Sequence, residues 1–228
     1  ELDDKTGKHL IDVILDAAAQ KGTGMWTSES AQELQSPAPV IDIAVAMRDL
    51  SVLKSERLEA NKMLGCPSGH LKSRAEKLLD PLKNALYISM ILTFAQGLAL
   101  LRAASETYSF GLNLAEVAKI WRGGCIIRAA LLDNIRKAYA DNPSLPNLLL
   151  DPRLAQEVRK RETDLRSIVC NASRVGLPVP GLMTSLSYLD GYRSSRLPAN
   201  LIQAQRDYFG AHTYQRVDAE GAFHTRWS

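Results

Sequence analysis

The sequence predicts an all-α protein, a multi-helix bundle that ends in an extended tail. Three observations carry that expectation. Apolar residues recur at helical spacing along most of the 228 residues, and alternating strand patterns are nearly absent. Residues 84–101 contain no charged side chain, as the central helix of a bundle does when it is covered all round. Beyond Gly210 the periodicity stops, so residues 211–228 read as a tail.

The elements follow from local signals. Residues 9–20 form a helical pattern, with Gly22 placed to end it. Thr27 or Ser28 caps a short helix to about Leu34, and Pro37 and Pro39 break the chain. Residues 40–64 read as one long helix, and Cys66-Pro67-Ser68-Gly69 as a loop. Asp80-Pro81 supplies an N-cap and a first-turn proline for the apolar helix, which runs to about Glu106. Asn113 caps a helix ending near Trp121. Gly123-Gly124 interrupts, and residues 125–140 continue as another helix. Asn142-Pro143 and Pro146 mark a turn before a mostly polar helix from Pro152 to about Arg174. Leu177-Pro178-Val179-Pro180-Gly181 is a rigid linker, followed by helices over 182–194 and 198–209. The expected organisation is a helical domain over 1–210 and a tail over 211–228. Tyr214, Phe223 and Trp227 of that tail need a surface to cover, on their own domain or on a partner chain.

Composition narrows the function classes. The net charge is +3, and the densest basic run, Arg159-Lys160-Arg161, is bracketed by Glu157, Glu162 and Asp164. That is the pattern of a solvated helix face and not of a nucleic-acid surface. Three cysteines, Cys66, Cys125 and Cys170, lie far apart, and the histidines His9, His70, His212 and His224 are scattered. No metal-ligand spacing or disulfide framework results, and a reducing cytoplasm fits best. No leader pattern opens the sequence. Residues 84–101 reach the length of a membrane span, but Asn84, Ser89, Thr93, Gln96 and Gly97 lie within them. The expectation is a buried core helix and no membrane.

Several polar constellations stand out. In Gln20-Lys21-Gly22-Thr23-Gly24-Met25-Trp26 two glycines let the backbone approach a ligand, while Lys21 and Thr23 add a charge and a hydroxyl. The alternative is that Lys21 merely complements a helix C-terminus. Arg48 closes an apolar face made by Ile41, Ala44 and Val45, and needs an anion. Asp49, Glu56 or a ligand are the choices. Arg206 and His212 flank the end of the last helix, where an arginine fork suits phosphate oxygens. The paired glycines of Trp121-Arg122-Gly123-Gly124-Cys125-Ile126-Ile127-Arg128 read as close packing, with Cys125 an inert buried thiol. A Rossmann fingerprint, a P-loop, a nucleophile elbow and a zinc-protease helix do not occur.

Taken together, these segments resemble the 6-phosphogluconate dehydrogenase family in order and spacing. Its motifs are matched by Gln20-Lys21-Gly22-Thr23-Gly24 with Trp26, by the Trp121–Arg128 run, and by Asn147-Leu148-Leu149-Leu150-Asp151. Leu186-Ser187-Tyr188-Leu189-Asp190-Gly191-Tyr192-Arg193, Ala204-Gln205-Arg206-Asp207-Tyr208-Phe209-Gly210-Ala211-His212-Thr213-Tyr214 and Phe223-His224-Thr225-Arg226-Trp227 match as well. The resemblance covers essentially the whole chain and points to the family's C-terminal helical region. It implies NADP-dependent conversion of 6-phosphogluconate to ribulose 5-phosphate and CO₂ in the oxidative pentose phosphate pathway. It also implies a homodimer whose tail threads into the other subunit. By position, Lys21, Thr23 and Arg48 match phosphate-binding residues, and Arg206 and His212 match residues that reach the partner's substrate.

The family's Rossmann domain, which binds most of the NADP, has no counterpart here, and its catalytic lysine and glutamate lie upstream of the segment resembling Glu1. No catalytic residue is therefore assigned, the chain reads as a fragment, and the 228 residues alone are expected to show no dehydrogenase activity. The alternative is a non-catalytic helical dimerisation module. A Gly-x-Gly-x-x-Gly after a strand in upstream sequence separates the two.

Overall fold

The computed structural model describes residues 1–67, 69 and 75–227. Ser68 in the expected loop, His70 and the terminal Ser228 lie outside the described residues. Among the described residues ten α-helices follow one another: α1 Leu10–Val13, α2 Thr23–Glu33, α3 Pro39–Val52, α4 Lys54–Leu64, α5 Ala75–Thr107, α6 Leu114–Gly124, α7 Leu131–Asp141, α8 Pro152–Arg174, α9 Pro180–Tyr192 and α10 Ala199–Gly210. Strand geometry among them is limited to two isolated bridges, Leu2 with His9 and Tyr214 with Phe223. The chain divides into two compact units, Glu1–Tyr188 and Leu189–Ser228.

In the first unit α5 is the axis. Ala85, Ile88, Ile91, Leu92, Ala95 and Leu98 have no exposed surface. Leu154, Val158, Leu165 and Ile168 form a single stripe along α8, which packs on α5. Burying one such side chain stabilises by about 1.5–3 kcal/mol. The polar residue at the start of the apolar run is matched as well. Asn84 donates to Asp164 at 2.7 Å and accepts from Arg161 Nε at 3.1 Å. Arg161 also pairs with Glu157 at 2.6 Å and lies over the Tyr87 ring. One member of the basic run thus turns inward and does not join a solvated face.

Five boundaries differ from the sequence reading. The helix expected over 125–140 covers only Leu131–Asp141, because the chain leaves α6 extended at Cys125 (φ −130°, ψ 171°) and turns before restarting. The other four each have a physical reason. Residues 9–20 are helical only over Leu10–Val13. Ile11 and Leu15 find no apolar surface and stay exposed. The chain after them is drawn out by polar anchors: Asp16 pairs with Lys54 at 2.6 Å and Arg57 at 3.0 Å, and Ala18 N–H donates to Ser51 Oγ at 2.8 Å. The expected helix over 40–64 breaks at Leu53. There the Arg57 guanidinium takes the Ser51 carbonyl at 2.9 Å, the acceptor that a continuous helix needs.

α2 begins at Thr23, because Gly22 turns the chain with φ +91°, and Thr27 bonds back to the Thr23 carbonyl instead of capping. α5 already runs at Ala75, with Pro81 inside it. The lost backbone bond costs about 3 kcal/mol, which the buried face downstream outweighs.

Asn113 caps α6 as read, and Asp151, a cap that the sequence reading did not name, holds the start of α8; each accepts two backbone N–H groups. Gly123 and Gly124 end α6, and a Cβ added to either would meet nothing within 4 Å. Close packing is not their role within this chain. Cys125 is half-buried, its thiol donating to the Trp121 carbonyl at 3.2 Å. α5 is long and apolar enough to cross a membrane, yet half of its apolar window is buried inside the unit. Its other face, with Leu86, Met90, Phe94 and Gly97, lines an open apolar concavity of about 940 Å³ shared with Trp121 and Ile127.

Candidate functional site

The first candidate site is assembled at the start of α2. Trp26 N–H is the first to bond back along the helix, to the Gly22 carbonyl at 3.0 Å. The amides of Thr23, Gly24 and Met25 precede it and carry the positive end of the helix dipole, a ready anion cradle. Lys21 and Thr23 are exposed beside these amides.

Arg48 is brought to the same place by three contacts. Gln20 Nε2 donates to Asp49, Ala18 N–H bonds Ser51, and the start of α2 lies against α3. The last contact is close because residue 24 is glycine: a Cβ there would sit 3.0 Å from Val45 Cγ2. Arg48 follows Val45 by one turn, exposed near the end of α3. Asp49, one of the two carboxylates that sequence reasoning offered to Arg48, is taken by Gln20. Among the described residues neither Lys21 nor Arg48 makes an ion pair, and both are exposed on segments tied to one another by the Gln20–Asp49 and Ala18–Ser51 bonds.

Gln20, Asp49 and Gln96 were named from the sequence, but the bonds by which they anchor this region were not. Gln20, Asp49 and Ser51 are short-range polar residues whose pairing across the strap cannot be seen in one dimension. Gln96 belongs with them. It is fully buried on α5 and accepts from Val40 N–H at 3.0 Å, satisfying an open amide in the first turn of α3, where Ala38 offers no side-chain cap. The carboxyl of Asp16 is held down to about 2 by its bonds from Lys54 and Arg57.

The second candidate site lies in the second unit. Arg206 and His212 line one concavity of about 400 Å³ with Ile202, Gln205, Phe209 and Gly210. Both are exposed, and Arg206 spends one contact on Gln203 at 3.3 Å. Behind them Asp207 is fully buried and was not foreseen. Its Oδ1 accepts from Thr213 N–H at 3.0 Å and meets His224 Nδ1 at 2.9 Å. Its Oδ2 accepts from Thr225 N–H at 3.0 Å and from Trp227 Nε1 at 2.9 Å. Burial alone pushes such a carboxyl up. The bonds from Thr225, His224 and Trp227 outweigh it and hold the group at about 2. The tail is therefore clipped to α10, with Tyr214 and Phe223 exchanging both backbone bonds and Trp227 edge-on to Tyr208. The aromatic residues that seemed to need a surface find part of it within their own unit.

The fold is that of an all-helical domain that exposes cationic side chains beside the N-terminus of α2 and around the concavity of the second unit. Residues 1–227 match the 6-phosphogluconate dehydrogenase C-terminal domain, and the chain belongs to that family. It is 50% identical to 6-phosphogluconate dehydrogenase, decarboxylating 2 of Arabidopsis thaliana, covering 99% of this chain and 47% of that protein. It is also 50% identical to the NADP(+)-dependent decarboxylating 6-phosphogluconate dehydrogenase of Bacillus subtilis, covering 99% and 48%. Among solved structures it superposes on Plasmodium falciparum 6-phosphogluconate dehydrogenase, determined with NADP+ and with 6-phosphogluconate, with TM-score 0.93 and 43% identity. That match covers 99% of this chain and 49% of the other. The chain thus spans about half the length of the relatives it matches.

Proposed function

We propose that this chain is the substrate-anchoring and dimer-forming part of an NADP-dependent, decarboxylating 6-phosphogluconate dehydrogenase of the pentose phosphate pathway. The observation that carries the reading is the tie between the segment bearing Lys21 and Thr23, at the open N-terminus of α2, and the end of α3 that bears Arg48. A sugar phosphate carries about two negative charges near neutral pH. Lys21 meets them as a point charge, Arg48 as a planar fork, and the α2 amides as fixed dipoles. Anchoring the non-reacting phosphate orients the carbons that exchange hydride and lose CO₂. None of these groups moves a proton.

The residues present do not fit a dinucleotide. Among the described residues there is no strand leading into a glycine-rich turn and helix. In this reading NADP is held by the part of the relatives' length that the chain does not span. The test uses the complete gene product. Lys21→Ala and Arg48→Ala should each weaken 6-phosphogluconate binding by one to two decades, the loss of a charge-assisted contact worth roughly 1.5–3 kcal/mol, and leave NADP binding unchanged. Weakened NADP binding with intact 6-phosphogluconate binding sinks the assignment.

The same reading makes the protein a cytoplasmic homodimer that needs neither membrane nor nucleic acid. The apolar face of α5 supports it, since an open concavity lined by Leu86, Met90 and Phe94 is apolar surface of the kind that a partner chain covers. Arg206 and His212 then act on the substrate held by the other subunit, carried there by the tail-clipped second unit. Subunit exchange tests this. Mixing an Arg206→Ala variant with a Lys21→Ala variant gives mixed dimers with one site free of both lesions, so activity returns. Sites built within one chain would stay damaged.

A further inference from the structure

We infer that Asp207 is a positioning residue for His212, and that its buried carboxylate sets the turn from which His212 faces the substrate. The inference rests on the reading of Arg206 and His212 given above. Neighbouring residues on a helix point to different sides, and here the division is sharp. Arg206 lines the open concavity, whereas Asp207 is fully buried on the other side of α10.

The turn that carries His212 is unusual. Ala211 has φ +50° and Thr213 has φ +58°, so His212 stands between two left-handed residues that both carry a Cβ. Such a pair is sparsely populated without outside constraint. Both constraints come from residue 207: its carbonyl accepts from Ala211 N–H at 2.9 Å, and its carboxylate accepts from Thr213 N–H at 3.0 Å. The imidazole is folded back over Gly210, where a Cβ would come 2.9 Å from Nε2. Gly210 therefore leaves the ring its place, and Asp207 fixes the backbone on both sides of it. The three remaining bonds of the carboxylate, to His224, Thr225 and Trp227, hold it from behind.

A carboxylate suits this position because its oxygens accept three N–H groups, from Thr213, Thr225 and Trp227, and also meet His224 Nδ1. An asparagine offers one acceptor oxygen and turns an amide N–H₂ toward at least one of these donors. The experiment is a double-mutant cycle in the complete gene product, reading 6-phosphogluconate affinity, NADP affinity and thermal unfolding. Asp207→Asn should weaken 6-phosphogluconate binding about ten-fold, with NADP affinity unchanged. Asp207→Glu, which keeps the charge and displaces the oxygens, should do the same and serves if the asparagine variant folds poorly.

The variant combining Asp207→Asn with His212→Ala should bind no more weakly than His212→Ala alone, because the carboxylate acts through the ring. Additive losses overturn the positioning role, as does unchanged binding in Asp207→Asn beside a weakened His212→Ala. If His212→Ala alone leaves binding intact, the assignment of His212 fails first and the inference falls with it. Trp227→Phe, which removes a donor from the other oxygen, should leave binding within about two-fold. A loss as large as that of Asp207→Asn would reassign the effect to the tail as a whole.

Discussion

Replacing Gly24 by alanine separates the geometry of the anion cradle from its chemistry. No charge and no hydrogen-bonding side chain is lost. The new Cβ would lie 3.0 Å from Val45 Cγ2, against roughly 3.5–4.0 Å for relaxed carbon contact. The contact must therefore open by a few tenths of an ångström, through the Val45 methyl or through the start of α2. Two effects on stability oppose each other. Alanine favours helix over glycine by up to about 1 kcal/mol, and overpacking costs about 1–3 kcal/mol. The net loss stays within about 2 kcal/mol, so the protein still folds.

Binding responds differently. Lys21 and Thr23 move with α2, while Arg48 stays one turn beyond Val45 on α3. Partial loss of charge-assisted contacts predicts a 6-phosphogluconate affinity lower by about one decade, with thermal unfolding shifted little. Titration calorimetry on the complete gene product measures the first and a melting curve the second. Val45→Ala removes the obstructing methyl, so the pair Gly24→Ala and Val45→Ala should recover most of the affinity. Unchanged affinity in the single variant, or no recovery in the pair, would refute the claim that the approach of α2 to α3 sets the site.

Three further outcomes follow from the same contacts. Gln96→Ala strands the Val40 N–H and leaves a cavity in the core, at about 2–4 kcal/mol, which a urea titration reads as an earlier midpoint. Asp151→Ala removes two bonds to the first turn of α8 and costs about 1–2 kcal/mol, whereas Asp151→Asn keeps most of the cap. Asp16 gives a pH dependence with a definite sign. Its folded carboxyl is depressed to about 2, so the tie to Lys54 and Arg57 is in place above the ordinary carboxylate range near 3.8 and is lost as pH falls through about 2. Asp16→Ala should expose the strap before Lys21 to limited proteolysis at neutral pH. An unchanged cleavage pattern argues against that tie.

What the sequence made legible were the features that reside in local runs of residues. The apolar period, the Asn113 cap and the end of periodicity at Gly210 are one-dimensional signals, and they place most helices. The helix over 9–20 failed because periodicity registers an apolar face without asking what it packs on, and Ile11 and Leu15 have nothing to meet. The single helix over 40–64 failed because the Ser51 carbonyl is claimed by the side chain of Arg57, six residues further along the same segment, a side-chain competition that apolar periodicity does not register.

Site residues divide along the same line. Lys21, Thr23, Arg48, Arg206 and His212, the residues the proposed function turns toward the ligand, could be named because they sit in short motifs. The anchoring roles of Gln20, Asp49, Gln96 and Asp207 could not, because each acts on a partner far along the chain. Asp207 shows why the difference matters. The tail carried a visible demand, three aromatic residues and a histidine beyond the last helix, and the buried acceptor meeting it sits on that helix next to a residue already singled out. Residues that touch a ligand announce their chemistry by type. Residues that hold them in place do so only through the fold, and the spacing of Lys21 from Arg48 and the pose of His212 depend on such residues.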